Sequence, residues 1–190
     1  MKNFIVGSIA LYCFGMMVYA IWSYLAFVGL EKRDWVGSLV YIPHGVRVMA
    51  MCYFGYRSIP ALYAIEITGP IMVYPEQYFD VWPIASIASL LSVVAACEIV
   101  KWSHSNTKGT IFMPINFTNY RSLVLVIVLS GLMNAISSNL VTSLLAGIDL
   151  SVTVIARFFV GDVIGACVLV LFLSALFTTL RANRLLVSDK

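Results

Sequence analysis

Long apolar segments separated by short polar ones run the length of this 190-residue chain. A membrane-spanning helix needs about 20 mostly apolar residues, and six windows of that kind are bounded by charged residues, proline or polar clusters. The pattern predicts an all-α, polytopic integral membrane protein, with one transmembrane domain of about six helices over residues 1–190. The predicted spans are residues 4–29, 36–56, 58–74, 82–102, 122–147 and 152–180.

The composition excludes most soluble classes of protein. Hydrophobic residues make up 61% of the chain and charged residues 11%, whereas soluble domains have about 45–50% apolar and about 25% charged residues. Soluble enzymes, disordered tails and disulfide-linked secreted domains do not fit this composition. The formal net charge of +3 is too small to indicate a nucleic-acid partner. The expected surroundings are therefore the lipid bilayer.

The basic residues are distributed unevenly between the predicted loops. With the N-terminus in the cytoplasm, eight basic residues would lie on the cytoplasmic side and two, Lys32 and Arg33, on the outer side. Cytoplasmic loops of membrane proteins are enriched in lysine and arginine. We therefore expect both termini to be cytoplasmic. The first apolar segment is too long for a signal-peptide core and no small-residue cleavage site follows it, so we interpret it as a helix.

Polar side chains within the predicted spans are the candidates for function, because burying them in a membrane is costly. His44 and Arg47 lie one turn apart on the second span and share a face, and Glu66 lies at the depth of Arg47 in the third. The candidate ligand-binding or buried polar cluster comes from four spans and consists of His44, Arg47, Glu66, Asn134, Ser138 and Asp162. Whether Arg47 pairs with Glu66 or with Asp162 is open at this point.

Two backbone features accompany these candidates. In the third span, Glu66 is followed by Thr68, Gly69 and Pro70; because Pro70 lacks an N–H donor, we expect this run to break or kink the helix and free backbone carbonyls. Gly161 and Gly165 have the spacing at which another helix can approach closely, so we expect helix packing on the face that also carries Asp162.

Three interpretations of the polar cluster are open. In the first, the polar groups satisfy one another and fix the helix packing. In the second, they line a pocket open to the outer side that binds a small polar or anionic ligand, with Arg47 as the anion contact. In the third, they contact a partner membrane protein. We expect no cofactor and no metal, because the cysteines lack CxxC spacing and His44 and His104 lie toward opposite membrane faces.

Two stretches of the sequence occur in a recognisable order. They are IPHGVR at residues 42–47, continued by FGYRSIPAL at 54–62, and FFVGDVIG at 158–165. They resemble motifs of the bacterial membrane-associated sensor domains, specifically the first MASE-type family, over roughly residues 36–179. The resemblance implies a bacterial inner-membrane protein in which Gly161, Asp162 and Gly165 are important. That family usually has more spans and an output domain; here no output domain is expected, so any output would come from another chain.

The sequence shows no nucleophile–base pair, phosphate-binding loop or metal-ligand spacing, so we expect no enzymatic activity. We interpret the chain as a sensor-type or ligand-binding protein that acts through a membrane-protein partner. Two alternatives are open. One is the substrate-binding subunit of a vitamin-type transporter, and the other is an accessory subunit of a larger respiratory or photosynthetic membrane complex.

Overall fold

The computed structural model describes residues 2–29, 38–71, 80–103, 120–147 and 149–188. These residues are mostly helical, which confirms the predicted all-α class. The elements are α1 (Lys2–Gly29), α2 (Ile42–Phe54), a 3-10 turn (Gly55–Ser58), α3 (Ile59–Ile71), α4 (Trp82–Ser103), α5 (Tyr120–Ala146) and α6 (Val152–Ser188). The predicted outer-loop cations Lys32 and Arg33, and His104, lie outside the described residues.

Four of the described helices are long and apolar enough to cross a bilayer. The corresponding segments are Phe4–Ala26, Trp82–Ser103, Tyr120–Ala146 and Val152–Leu180. Each exposes large apolar side chains such as Ile9 of α1 and Leu171 of α6, as helices that face lipid do. The chain is therefore a multi-pass membrane protein. Helices α2 and α3 have 13 residues each, or about 20 Å, and are shorter than a full crossing of about 30 Å.

The limits of α2 differ from those of the second predicted span. Helix α2 begins at Ile42 rather than at residue 36, and Pro43 lies in its first turn, where a missing N–H removes no helical hydrogen bond. Gly55 follows the helix with a φ of 59°, a value that favours glycine. Ser58 Oγ donates to the Gly55 carbonyl at 2.7 Å and closes the 3-10 turn. This turn is the corner expected between the second and third spans.

Helix α2 lies at the centre of the bundle. It contacts each of the other five α-helices, and nine of its 13 residues are buried. Its apolar side chains, including Val48 and Cys52, belong to the core that also contains Leu62 of α3 and Val93 of α4. An inward-facing polar side chain on α2 is consequently surrounded by protein and needs a polar partner.

Helices α2 and α4 run in the same direction. Arg47 of α2 contacts Ser89 of α4, and Tyr56 in the following 3-10 turn donates to Glu98 Oε1 at 2.6 Å. In both contacts the paired residues lie 42 positions apart in the sequence. A constant separation of this kind is the pattern of parallel helices. Glu98 also pairs with Lys101, whose Nζ lies 2.8 Å away. The corner after α2 therefore lies beside the C-terminal end of α4.

Candidate functional site

Arg47 and Glu66 form a buried ion pair between α2 and α3. Arg47 Nε lies 2.7 Å from Glu66 Oε1, although its N–H is not aligned for a hydrogen bond, and the residues are 3% and 5% exposed. Arg47 Nη1 also donates to Ser89 Oγ of α4. The guanidinium carbon lies 5.2 Å from the centre of the Tyr41 ring. Of the two partners considered for Arg47, the structure selects Glu66 rather than Asp162.

Pro70 frees the backbone of α3 at Glu66. In an α-helix the Glu66 carbonyl would accept a hydrogen bond from the residue four positions later, but that residue is Pro70, which has no N–H. Trp82 Nε1 donates to this carbonyl instead, at 2.8 Å, and Ser86 Oγ donates to it at 3.4 Å. The predicted freeing of a carbonyl by Pro70 is confirmed. The hydrogen bonds to this carbonyl connect the start of α4 to α3 directly beside the ion pair.

His44 and Asp162 face each other across the contact between α2 and α6, and they are 0% and 1% exposed. His44 Nδ1 lies 3.6 Å from Asp162 Oδ2, which is longer than a direct hydrogen bond. On its other side, His44 Nε2 lies 3.0 Å from Ser130 Oγ of α5. Asn134 Nδ2 donates to Asp162 Oδ2 at 2.6 Å, and Ser138 Oγ donates to Asn134 Oδ1 at 2.8 Å. These contacts join α2, α5 and α6.

The ion pair and the histidine–aspartate pair meet on α2, because His44 and Arg47 lie one turn apart on its buried face. All six candidate residues therefore belong to one region, which we call the polar cluster. Five of them are buried and Ser138 is half-buried. The polar cluster links α2 to α3 on one side and to α5 and α6 on the other.

Three further members of this region escaped the sequence analysis. Ser130 lies four residues before Asn134, so extending the polar stripe of α5 by one turn would have found it. Tyr41 and Ser89 carry no comparable signal. A tyrosine near the membrane surface and a serine on a packing face are both common in membrane helices without any functional role.

Gly161 and Gly165 lie where the chain entering α2 crosses α6. Tyr41 N–H donates to the Gly161 carbonyl at 2.9 Å. A β-carbon at Gly161 would overlap the carbonyl oxygen of Ser38, and one at Gly165 would overlap that of Tyr41. The sequence predicted a close approach at these glycines, but the neighbour is the non-helical segment 38–41 rather than another helix. Backbone polar groups in this segment need partners, and the glycines let it reach the α6 backbone.

Helices α2 and α6 continue side by side beyond this crossing. A β-carbon at Gly45 would lie 3.0 Å from both Ala166 Cα and Leu169 Cβ. Positions advance along both helices together, from Tyr41 beside Gly161 to Gly45 beside Ala166. Helix α6 is therefore parallel to α2, as α4 is.

The polar cluster contains two acids, one permanent cation and one histidine, and these groups mainly contact one another. Because Glu66 and Ser89 occupy the Arg47 guanidinium, an anionic ligand would have to displace a carboxylate. The geometry favours the interpretation in which the polar groups satisfy one another. Two buried nitrogens lack a hydrogen-bond partner among the described residues, Arg47 Nε and His44 Nδ1; Arg47 Nε still lies 2.7 Å from Glu66 Oε1, whereas His44 Nδ1 lies 3.6 Å from Asp162 Oδ2. Among the residues that the structure describes, no three His, Cys, Asp or Glu side chains lie close enough together to hold a metal ion.

Comparison with known proteins gives no match for this chain. No protein-family model matches it, and neither a curated protein nor a solved structure matches it. The polar cluster is therefore interpreted from its own geometry and chemistry.

Proposed function

We propose that this chain is a non-enzymatic, sensor-type protein of the bacterial inner membrane, which passes the state of its polar cluster to a partner membrane protein. The observation that carries the proposal is the continuity of α6, a single helix of 37 residues. Asp162 lies near its start, inside the polar cluster. Nine of the ten residues from 171 to 180 are exposed, so one helix connects the cluster to an exposed surface.

Helix α6 is suited to transmit a displacement. Phe177 lies about 22 Å along the helix from Asp162 at 1.5 Å per residue. Leu171, Phe172 and Phe177 are 69%, 61% and 65% exposed. Among the described helices that contribute an ionisable group to the polar cluster, α6 extends farthest beyond it. A change of packing at Asp162 therefore moves this exposed apolar surface as well.

The proposal includes six spans with both termini in the cytoplasm. The uneven distribution of basic residues supports this orientation. The shared direction of α2, α4 and α6 supports it too, since alternate helices of a six-span chain run parallel. The contact of Tyr56 with Glu98 supports a second span whose end lies as deep as the end of α4. Helices α2 and α3 would complete their crossings with the residues that flank them.

The resemblance to bacterial membrane-associated sensor domains supports the same proposal. Its two motifs, at residues 42–47 and 158–165, lie more than 100 positions apart in the chain. They meet through His44 and Asp162. Contact between the motifs is what a shared structural role of these segments would require.

Site-specific photo-crosslinking tests whether α6 contacts a partner. The photoreactive residue benzoylphenylalanine replaces Phe177 in the test variant and Ile9 in the control variant. Ile9 is a suitable control because it is 57% exposed and lies on α1, which contributes no ionisable group to the polar cluster. We expect a discrete protein adduct from position 177 in native membranes, with a yield that changes in the Asp162→Asn variant. Adducts from position 9 should not depend on that substitution.

Two results would contradict the proposal. One is the lack of any discrete adduct at position 177, and the other is an adduct whose yield is the same with Asp162 and with Asn. Purification in a mild detergent followed by mass spectrometry separates the alternatives. A stoichiometric set of larger membrane proteins would identify an accessory subunit, and a bound vitamin-like molecule would identify a transporter component.

A further inference from the structure

The hydrogens available around His44 determine where its protons lie. Ser130 has one hydroxyl hydrogen, and Ser130 Oγ donates to the Ile127 carbonyl at 3.2 Å. With this hydrogen on the Ile127 carbonyl, His44 would donate from Nε2 in its 3.0 Å contact with Ser130 Oγ, and Nδ1 of the neutral ring would be an acceptor.

His44 Nδ1 and Asp162 Oδ2 are then two acceptors that face each other. They lie 3.6 Å apart, and Nδ1 has no hydrogen-bond partner in the described part of the chain. Two lone pairs that face each other in a buried site repel. A proton on either atom replaces this repulsion by an attraction, and a separation shorter than 3.6 Å would make the contact a charge-assisted hydrogen bond.

The charges of the polar cluster also favour one proton on the His44–Asp162 pair. Arg47 and Glu66 cancel as an ion pair. An ionised Asp162 beside a neutral His44 would leave one uncompensated negative charge within the membrane, which is costly. One added proton makes the cluster neutral, whether it resides on Nδ1 or on the carboxyl group.

The surrounding helices do not change this count. Within the described part of the chain, the titratable or charged side chains that act on the pair or on Tyr41 are Tyr19 of α1, Arg47 of α2 and Glu66 of α3, and Tyr41 itself lies directly before α2. Both tyrosines are neutral in their ordinary state. The hydrogen bonds that the described parts of α4 and α5 make to the ionisable side chains of the cluster come from Ser89, Ser130 and Asn134, which do not titrate. The proton on the His44–Asp162 pair therefore sets the net charge.

We propose that His44 and Asp162 together bind one exchangeable proton, and that this proton is the ligand of the polar cluster. Uptake takes one hydrogen ion from water and forms either an N–H bond at Nδ1 or an O–H bond at the Asp162 carboxyl. The cluster passes from one negative charge to neutral. The inference rests on the proposed function only for its output, the transfer of this change through α6.

Proton release is coupled to the packing of α2 against α6. It leaves a buried carboxylate that accepts a hydrogen bond from Asn134 and that water would stabilise further. Water reaches Asp162 when α2 and α6 separate, and the backbone contact of Tyr41 with Gly161 holds them together nearby. The deprotonated state therefore favours a looser contact between the two helices.

Histidine nitrogen NMR tests the proposal directly. The chain has two histidines, so His104→Gln leaves His44 as the single histidine signal in lipid nanodiscs. Between about pH 5 and 9 the ¹⁵N shifts distinguish imidazolium from the neutral tautomers. Infrared spectra of the same samples report a protonated carboxyl group. We expect one proton at low pH, seen as imidazolium or as a carboxylic acid, and its loss as the pH rises.

Two acid variants assign the infrared signal. Asp162→Asn should abolish the carboxylic acid band or the imidazolium state, whereas Asp149→Asn, at an exposed acid, should leave both unchanged. The His104→Gln titration counts the proton even where Asp162→Asn fails to fold. A neutral His44 with an ionised Asp162 over the whole range would overturn the proposal.

The output is measured separately from proton binding. Crosslinking from position 177, repeated across the same pH range, reports whether the partner contact follows the proton. A proton that titrates without any change in crosslinking confirms the proton site and refutes its transfer through α6. Crosslinking that responds to Asp162→Asn with no proton on the pair refutes the proton site and leaves the proposed function standing.

Discussion

Replacing Arg47 by methionine is the most direct test of the ion pair. Arg47→Met removes the cation and leaves the Glu66 carboxyl 5% exposed without a charge partner. Neutralising an ordinary glutamate by protonation at pH 7 costs about 3.7 kcal/mol, which limits the loss from the charge alone. Broken buried pairs typically cost about 3–5 kcal/mol. We therefore expect Arg47→Met to lower the free energy of unfolding by about 3–4 kcal/mol.

The double variant separates the charge from the packing. In Arg47→Met with Glu66→Met, no buried charge is left from the pair, and apolar replacement of a whole buried pair is often neutral or stabilising by about 1–4 kcal/mol. The hydrogen bonds of Trp82 and Ser86 go to the backbone of position 66 and are retained. We expect the double variant to recover most of the stability that Arg47→Met loses.

The assay is reversible unfolding by SDS in mixed micelles, followed by tryptophan fluorescence. The matched control is Lys101→Met, since the Lys101 and Glu98 side chains are 20% and 35% exposed and such pairs contribute about 0–1 kcal/mol. The loss in free energy of unfolding caused by Arg47→Met should become smaller by about 1.4 kcal/mol for each pH unit that the pH falls, because Glu66 then takes up a proton more readily. An Arg47→Met loss no larger than that of the control, or a double variant as unstable as the single one, would refute the reasoning.

Two further predictions use paired positions. Gly165→Ala should lower the free energy of unfolding by at least about 1–3 kcal/mol, because the added β-carbon overlaps backbone atoms. Gly7→Ala, where nothing lies within 4 Å of the added β-carbon, should be neutral or slightly stabilising. Equal effects of the two substitutions in the same SDS titration would contradict the crossing of segment 38–41 over α6. Trp82→Phe removes a hydrogen-bond donor from the Glu66 carbonyl and should lower the free energy of unfolding by about 1–3 kcal/mol. Trp102→Phe, at a residue 86% exposed, should lower it by less than about 0.5 kcal/mol. Similar losses in both variants would argue against the hydrogen bond from Trp82 to Glu66.

Depth and proline chemistry made part of the polar cluster predictable. A rise of about 1.5 Å per residue from the corner at Arg57 places Arg47 and Glu66 at the same level in adjacent helices, and the structure pairs them. The missing N–H of Pro70 predicted a free carbonyl, and that carbonyl is the one at Glu66. Both inferences use local geometry that the sequence alone contains.

The segment entering α2 was not predictable from local pattern. Its apolar residues suggested a helix from residue 36, yet residues 38–41 are non-helical. Their backbone groups are satisfied from elsewhere: Trp22 Nε1 donates to the Val40 carbonyl at 2.6 Å, and Tyr41 N–H donates to the Gly161 carbonyl. These partners lie far away in the sequence. Membrane helices are also apolar toward lipid and toward protein alike, so periodicity did not show which faces meet.

The glycines of α6 set the distance on which the proton site depends. Gly161 precedes Asp162 directly, and its missing side chain lets segment 38–41 contact the α6 backbone. That contact fixes the start of α2 and with it His44, whose Nδ1 lies 3.6 Å from Asp162 Oδ2. At this separation a proton on either side chain would attract the other side chain, whereas a wider gap would admit water and stabilise the bare carboxylate. Helix packing and proton occupancy therefore change together, because both depend on the same contact.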